Sequence, residues 1–136
     1  MREEILKQYF DGATTSEALD KDVEGSETKT GHDVSAIQID QFNSIDQFEV
    51  RSKNLLKLCN DTITGILKFK HLTTIGCALE FSDYFTWNSD TADGRIVGTV
   101  IFDWANPDIN FPLTIQNMML WKEYLETGIY KLKTTS

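Results

Sequence analysis

Ser52-Lys-Asn-Leu-Leu-Lys-Leu-Cys-Asn-Asp-Thr-Ile-Thr-Gly65 is the stretch whose reading decides the fold. Ser52 is a good N-cap, because its hydroxyl accepts from the unpaired N–H groups of a first helical turn. Leu55, Leu56, Cys59, Ile63 and Ile66 recur at helical spacing, and Gly65 marks the end. A second stripe follows at once: Phe69, Leu72, Ile75, Gly76 and Leu79, running toward Phe81 and Tyr84. Two helices in succession set the class as mainly α.

Beyond them, Asn88 to Gly94 is turn-rich and reads as exposed. Arg95–Trp104 supports two readings. Val97, Val100, Ile101 and Trp104 fit a helix; Ile96, Val100, Phe102 and Trp104 partly fit a strand, which would make Asp93-Gly94 a hairpin turn after Trp87. The helix is the reading adopted. Asn106-Pro107 stops it, and Pro107–Leu113 crosses to a last helix. Thr114 caps that helix, Ile115, Met118, Trp121 or Lys122, and Leu125 form its stripe, and Gly128 closes it. Residues 129–136 read as a partly ordered basic tail.

Upstream, Ile5, Leu6, Tyr9 and Phe10 share one helical face, with Gly12 beyond its end. Thr15 or Ser16 caps a short helix reaching Glu24, with Glu17 and Asp20 favourable near its positive end. Gly25–Gly31 reads as an exposed polar loop. Val34–Ile39 suits a short strand. Ile39-Asp-Gln-Phe42 is echoed by Ile45-Asp-Gln-Phe48, too short a unit for a repeat architecture. Phe42, Ile45 and Phe48 are expected to anchor this segment, with Asp40 and Asp46 in water. The expectation is a compact single domain, 1–136, of five or six short helices with room for a short strand or hairpin; α+β is the alternative. It divides into an acidic portion (1–50), a helical core (51–128) and the tail.

Charge separates the first two. Residues 1–50 hold twelve acids and four bases, and residues 51–136 nine of each, so the first fifty carry the whole net charge of −8. Nucleic acid and anionic membranes are disfavoured, because phosphate binding needs an excess of Lys and Arg. A basic protein partner is favoured, and encounter with it should be fast. No run approaches the roughly 20 apolar residues of a membrane span. The opening Met1–Phe10 is unlike an export signal, so a cytoplasmic location is expected, with Cys59 and Cys77 as buried reduced thiols. Cys59, His71 and Cys77 match no zinc spacing, and neither a metal nor a cofactor is expected.

Enzyme motifs are lacking: no G-x-S-x-G, G-x-x-x-x-G-K or H-E-x-x-H string occurs. His71, at a helix start, reads as solvated or capping, and His32 abuts the polar loop. Glu80 and Asp83, spaced i, i+3, would share a helical face, where an exposed acidic pair is the commoner meaning. An enzyme is therefore not expected. Between Phe81 and Asn110, however, five acids and one base are interleaved with aromatics. Rigid rings supply hot-spot area and carboxylates pair with Lys and Arg, although such rings also fill cores. Asp83, Tyr84, Trp87, Asp90, Asp93, Asp103 and Asp108 are the candidate partner-binding residues, with no catalytic, cofactor-binding or metal residue assigned.

The stretch Phe102-Asp-Trp-Ala-Asn-Pro-Asp-Ile-Asn-Phe-Pro-Leu-Thr114, after Leu79-Glu-Phe-Ser-Asp-Tyr-Phe-Thr-Trp87, resembles a pattern of small acidic bacterial proteins. The opening Leu6-Lys-Gln-Tyr-Phe-Asp-Gly12, then Thr15-Ser-Glu-Ala-Leu19, is similar to helical bacterial immunity proteins. These neutralise toxins delivered by neighbouring cells, in contact-dependent inhibition or polymorphic-toxin systems. The resemblance implies a protein that binds a cognate toxin domain, expected to have a basic surface such as a nuclease presents. The alternative is a helical regulatory or adaptor module that binds an endogenous protein.

Overall fold

The structure is a computed structural model and describes residues 1–30, 34–37, 39–109 and 111–132, with the backbone alone described for 27–30 and 34–37. Among the described residues six helices carry it: α1 (Glu3–Phe10), α2 (Ser16–Glu24), α3 (Ser52–Ile63), α4 (Phe69–Glu80), α5 (Ala92–Ala105) and α6 (Ile115–Thr127). The protein is mainly α, as its periodicity requires. No described helix is long and apolar enough to cross a membrane.

Caps explain most boundaries. Thr15, Thr91 and Thr114 each accept, through the side chain, from the N–H three residues on, which satisfies a donor the helix cannot. Gly12, Gly65 and Gly128 follow α1, α3 and α6 at positive φ, where a β-carbon would be strained. The start of α3 differs from expectation by one residue. Arg51 is the N-cap, Asn54 Oδ1 accepts from its N–H at 2.8 Å, and Ser52 already lies in the helix. Its N–H and hydroxyl both go to Asp93 of α5, at 3.2 and 2.5 Å.

The core lies among α3, α4, α5 and α6. α4 packs on α5, α3 on α6, and α3 and α6 both touch α5. Gly76 of α4 permits the first contact: a β-carbon there would lie 2.9 Å from Ala105 N of α5. Leu55, Leu58, Leu72, Ile75, Leu79, Val97, Val100, Trp104, Met118 and Trp121 are all buried between these four helices. Burying each large side chain contributes about 1.5–3 kcal/mol. α1 and α2 pack beside this body. Tyr9 of α1 and Ser16 of α2 both donate to Asp61 of α3, at 2.5 and 2.6 Å. Burial first, and then the Asp61 contact, pushes the Tyr9 phenol far above its usual range.

Two small sheets complete the fold among the described residues. β1 (Glu27–Thr30) and β2 (Val34–Ile37) pair antiparallel, and β3 (Phe48–Glu49) and β4 (Phe85–Thr86) pair parallel. The Gly25–Gly31 segment is therefore not a plain loop. Thr28 and Thr30 suit an extended backbone, but their polar setting hides it from a reading based on apolar alternation.

The helix reading of Arg95–Trp104 holds, and the hairpin at Asp93-Gly94 does not form. Of the three expected anchors, Phe42 and Phe48 are half-buried against Tyr84, Phe10 and Phe85. Ile45 is fully exposed. Residues 129–132 also depart from expectation: Leu132 is buried and the Tyr130 hydroxyl donates to Asp103 at 2.7 Å. The remainder of the expected tail, 133–136, lies outside the described residues.

Candidate functional site

The seven candidate residues divide by burial. Asp83, Asp90 and Asp108 are exposed, Trp87 and Asp93 are half-buried, and Tyr84 and Asp103 are buried. They do not form one surface. Asp103 is turned inward, where its Oδ2 accepts from Trp121 Nε1 at 3.1 Å and from the Tyr130 hydroxyl. Burial raises its carboxyl above the ordinary value, and these two donors oppose the rise. The aspartate is spent on holding α5, α6 and the C-terminal segment together.

Asp90 and Asp93, three residues apart, have different work. Asp90 stands in the exposed turn before α5, whereas Asp93 caps α3 through Ser52. Asp93→Lys should therefore lose about 1–2 kcal/mol of stability, the usual cost of a lost cap. Asp90→Lys should change it by less than about 0.5 kcal/mol. Urea denaturation of both variants checks this; equal stabilities would contradict the cap. Trp87 likewise packs on the body. A β-carbon on Gly98 would come within 2.9 Å of its Nε1, so its ring lies across α5 rather than standing clear of it.

What the structure does assemble lies around Tyr84. The ring packs edge-on against Phe42 and Phe85, each 5.0 Å away. Ser82 Oγ accepts from the N–H of Tyr84 and of Phe85, both at 3.0 Å, and fixes the turn after α4. This turn places Asp83 beyond α4, so Glu80 and Asp83 do not share a helical face as expected. The 41–47 segment lies alongside, with Gln47 Nε2 donating to Asp83 O at 3.4 Å and Glu3 Oε1 accepting from Phe42 N at 2.9 Å. Glu3, Phe42, Ser44, Asp83 and Tyr84 line a small cavity of about 160 Å³ there.

The field around the phenol is acidic. Burial is the main cause raising the Tyr84 pKa; Lys7 opposes it, and Asp11, Asp46 and Glu3 add to it. Ile45 projects from the same segment, fully exposed, with Asp46 next to it. Carboxylates grouped near an exposed aliphatic side chain suit a cationic protein surface, where each Lys or Arg meets a charged acceptor and the apolar tip loses its water. Only Asp83 and Tyr84 of the expected set belong here. Asp46 is exposed as expected, whereas the echo of Ile-Asp-Gln-Phe suggested an inward Ile45.

His71 also departs from expectation. Rather than being solvated, it is fully buried, with Nδ1 2.6 Å from Asp20 Oδ1. Asp20 and Glu24 are one turn apart on α2, and that i, i+4 spacing was the one available signal. The two thiols are unlinked. Cys59 is buried, donates to Met118 O at 3.2 Å, and is pushed up to about 12 by burial. Cys77 is half-buried and also raised by burial. Neither joins His71 in a metal-binding group among the described residues. His32 and Asn110 lie outside the described residues.

No family model, curated protein or solved structure matches the chain.

Proposed function

We propose that this protein is an immunity protein that captures a cognate toxin domain with a basic surface, using the acidic face around Tyr84. The observation that carries the reading is Ile45, fully exposed on a segment that carries Asp46 and lies against Asp83. A net charge of −8 supports it, because long-range attraction speeds encounter with a basic partner. Asp83 and Asp46 would steer, and Ile45 would be the apolar contact that holds. Asp90 and Asp108, elsewhere on the surface, would add only to the distant field.

An immunity protein's gene is expected to follow that of its toxin, and the test uses the toxin domain encoded there. Association and dissociation with that toxin domain are measured for the wild type, Asp46→Lys with Asp83→Lys, and Ile45→Asp. The double charge reversal should slow association at least about tenfold at low salt, with the difference shrinking once the Debye length falls to about 3 Å at 1 M. Ile45→Asp should act on dissociation, weakening the complex by about 2 kcal/mol if the side chain is a hot spot. Both variants should melt with the wild type, since the side chains are exposed. Absence of a complex with that toxin, or a complex indifferent to all three substitutions, would overturn the proposal. Salt-independent capture of an endogenous protein would favour an adaptor instead.

A further inference from the structure

The acidic face and the core leave one cluster unexplained, between α2 and the start of α4. His71 is fully buried, yet only one of its ring nitrogens is hydrogen-bonded. Nδ1 faces Asp20 at 2.6 Å. Nε2 is sealed from solvent and has no hydrogen-bond partner, although Glu24 Oε2 stands 3.0 Å away. Because Asp20 and Glu24 are spaced i, i+4, one helix delivers both carboxylates to the same ring.

In the tautomer whose proton sits on Nδ1, facing Asp20, Nε2 offers its lone pair. That lone pair and a carboxylate oxygen then share a confined space. Two such acceptors repel each other unless a proton or a metal cation joins them. We propose that His71 Nε2 and Glu24 Oε2 are ligands of a divalent zinc-type cation, with Asp20 as the outer carboxylate that orients the imidazole.

The distances suit it. With zinc about 2.1 Å from each donor, atoms 3.0 Å apart subtend roughly 90°. The Glu24 side chain is half-exposed and has room to swing wider. A groove of about 510 Å³, lined in part by Glu17, Asp20, Glu24 and Lys68, lies on the Glu24 side, and waters completing the shell would come from there. An imidazole donor favours zinc and its transition-metal neighbours over magnesium or calcium, which take oxygen.

Competition for Glu24 makes the proposal sharp. Lys68 Nζ lies 2.6 Å from the same Oε2, and Lys70 Nζ 3.9 Å from Oε1. The positive end of α4 also opposes a cation near its first turn. Binding must displace Lys68, so removing that ammonium should strengthen the site. A residue that merely supports the fold has no reason to show this sign.

Zinc chloride is titrated calorimetrically into chelator-treated full-length protein carrying Cys59→Ser, Cys77→Ser and His32→Asn, which leaves His71 as the only imidazole and removes both thiols. One-to-one binding is expected. Glu24→Gln and His71→Asn should abolish it, Asp20→Asn should weaken it about tenfold, and Lys68→Met should tighten it. Glu24→Gln alters a half-exposed side chain and should keep the wild-type melting temperature, which separates loss of the site from loss of the fold. Failure of the parent to bind, binding that survives Glu24→Gln, or weaker binding by Lys68→Met would each overturn the proposal. So would nitrogen NMR showing both His71 nitrogens protonated in excess zinc, which would make the cluster an imidazolium held by two carboxylates.

Discussion

Gly94→Ala should destabilise the protein by about 2–5 kcal/mol, although glycine to alanine inside a helix ordinarily stabilises by about 1 kcal/mol. Gly94 is buried in the first turn of α5. A β-carbon built there falls 1.7 Å from Asn88 O and 2.4 Å from Asn88 C. Those atoms are backbone and do not rotate away. Asn88 O also accepts from Thr91 N at 3.1 Å and from Thr91 Oγ1 at 2.8 Å, while Thr91 Oγ1 caps α5 through Gly94 N. Moving the carbonyl therefore disturbs the cap, and with it the position of Asp93 over Ser52. Overpacking of about 1–3 kcal/mol and the loss of one or both caps, about 1 kcal/mol each, act together. Urea unfolding measures the sum; a variant as stable as the wild type would show that the turn yields freely.

Trp121→Ala should cost about 3–5 kcal/mol, the range for a buried aromatic ring. The ring is fully buried and meets Trp104 edge-to-face at 6.3 Å. Trp121→Phe isolates the polar part of the effect, because it retains much of the ring and removes the N–H that Asp103 accepts. That donor favours the charged carboxylate, so its loss raises the Asp103 pKa further. Asp103 already has a folded pKa above its unfolded value. Its stabilising proton is bound at low pH and is lost as pH rises through the folded value. The gap between wild type and Trp121→Phe should therefore be smallest below the ordinary carboxylate range and widen toward neutrality. Melting curves from pH 3 to 7 test this; a constant gap would mean that only packing was lost.

The helices were legible because each carries two agreeing signals. Leu55 to Ile63 has a period, and Gly65 lies beyond it; Ile115 to Leu125 has a period between Thr114 and Gly128. Arg95–Trp104 has a period that a strand partly shares and a stop at Asn106-Pro107, and the cap that agrees with the helix adopted there is Thr91. Direction was harder than type. Asp103 and Asp83 look alike in the sequence, but one faces a tryptophan N–H eighteen residues away and the other faces water. Ile45 and Phe42 share a motif, yet only Phe42 meets a ring, that of Tyr84. Such outcomes depend on partners brought together by tertiary folding, which local pattern does not contain. His71 is the clearest instance, since its two carboxylates lie about fifty residues upstream.

The Asn88–Gly94 turn has a consequence for how this chain can change in length. Exposed connections usually tolerate insertion and deletion. This one is exposed at Asn88–Ala92 yet locked at its end, because Gly94 abuts Asn88 O and Asp93 must reach Ser52. One residue more or less would rotate α5 by about 100° relative to its cap. The 43–47 segment has no such constraint: its residues are exposed, and Ile45 touches nothing that a neighbouring helix needs. Variation in length between homologues should therefore collect at 43–47 and be rare at 88–94, leaving the scaffold fixed while the segment bearing Ile45 diverges.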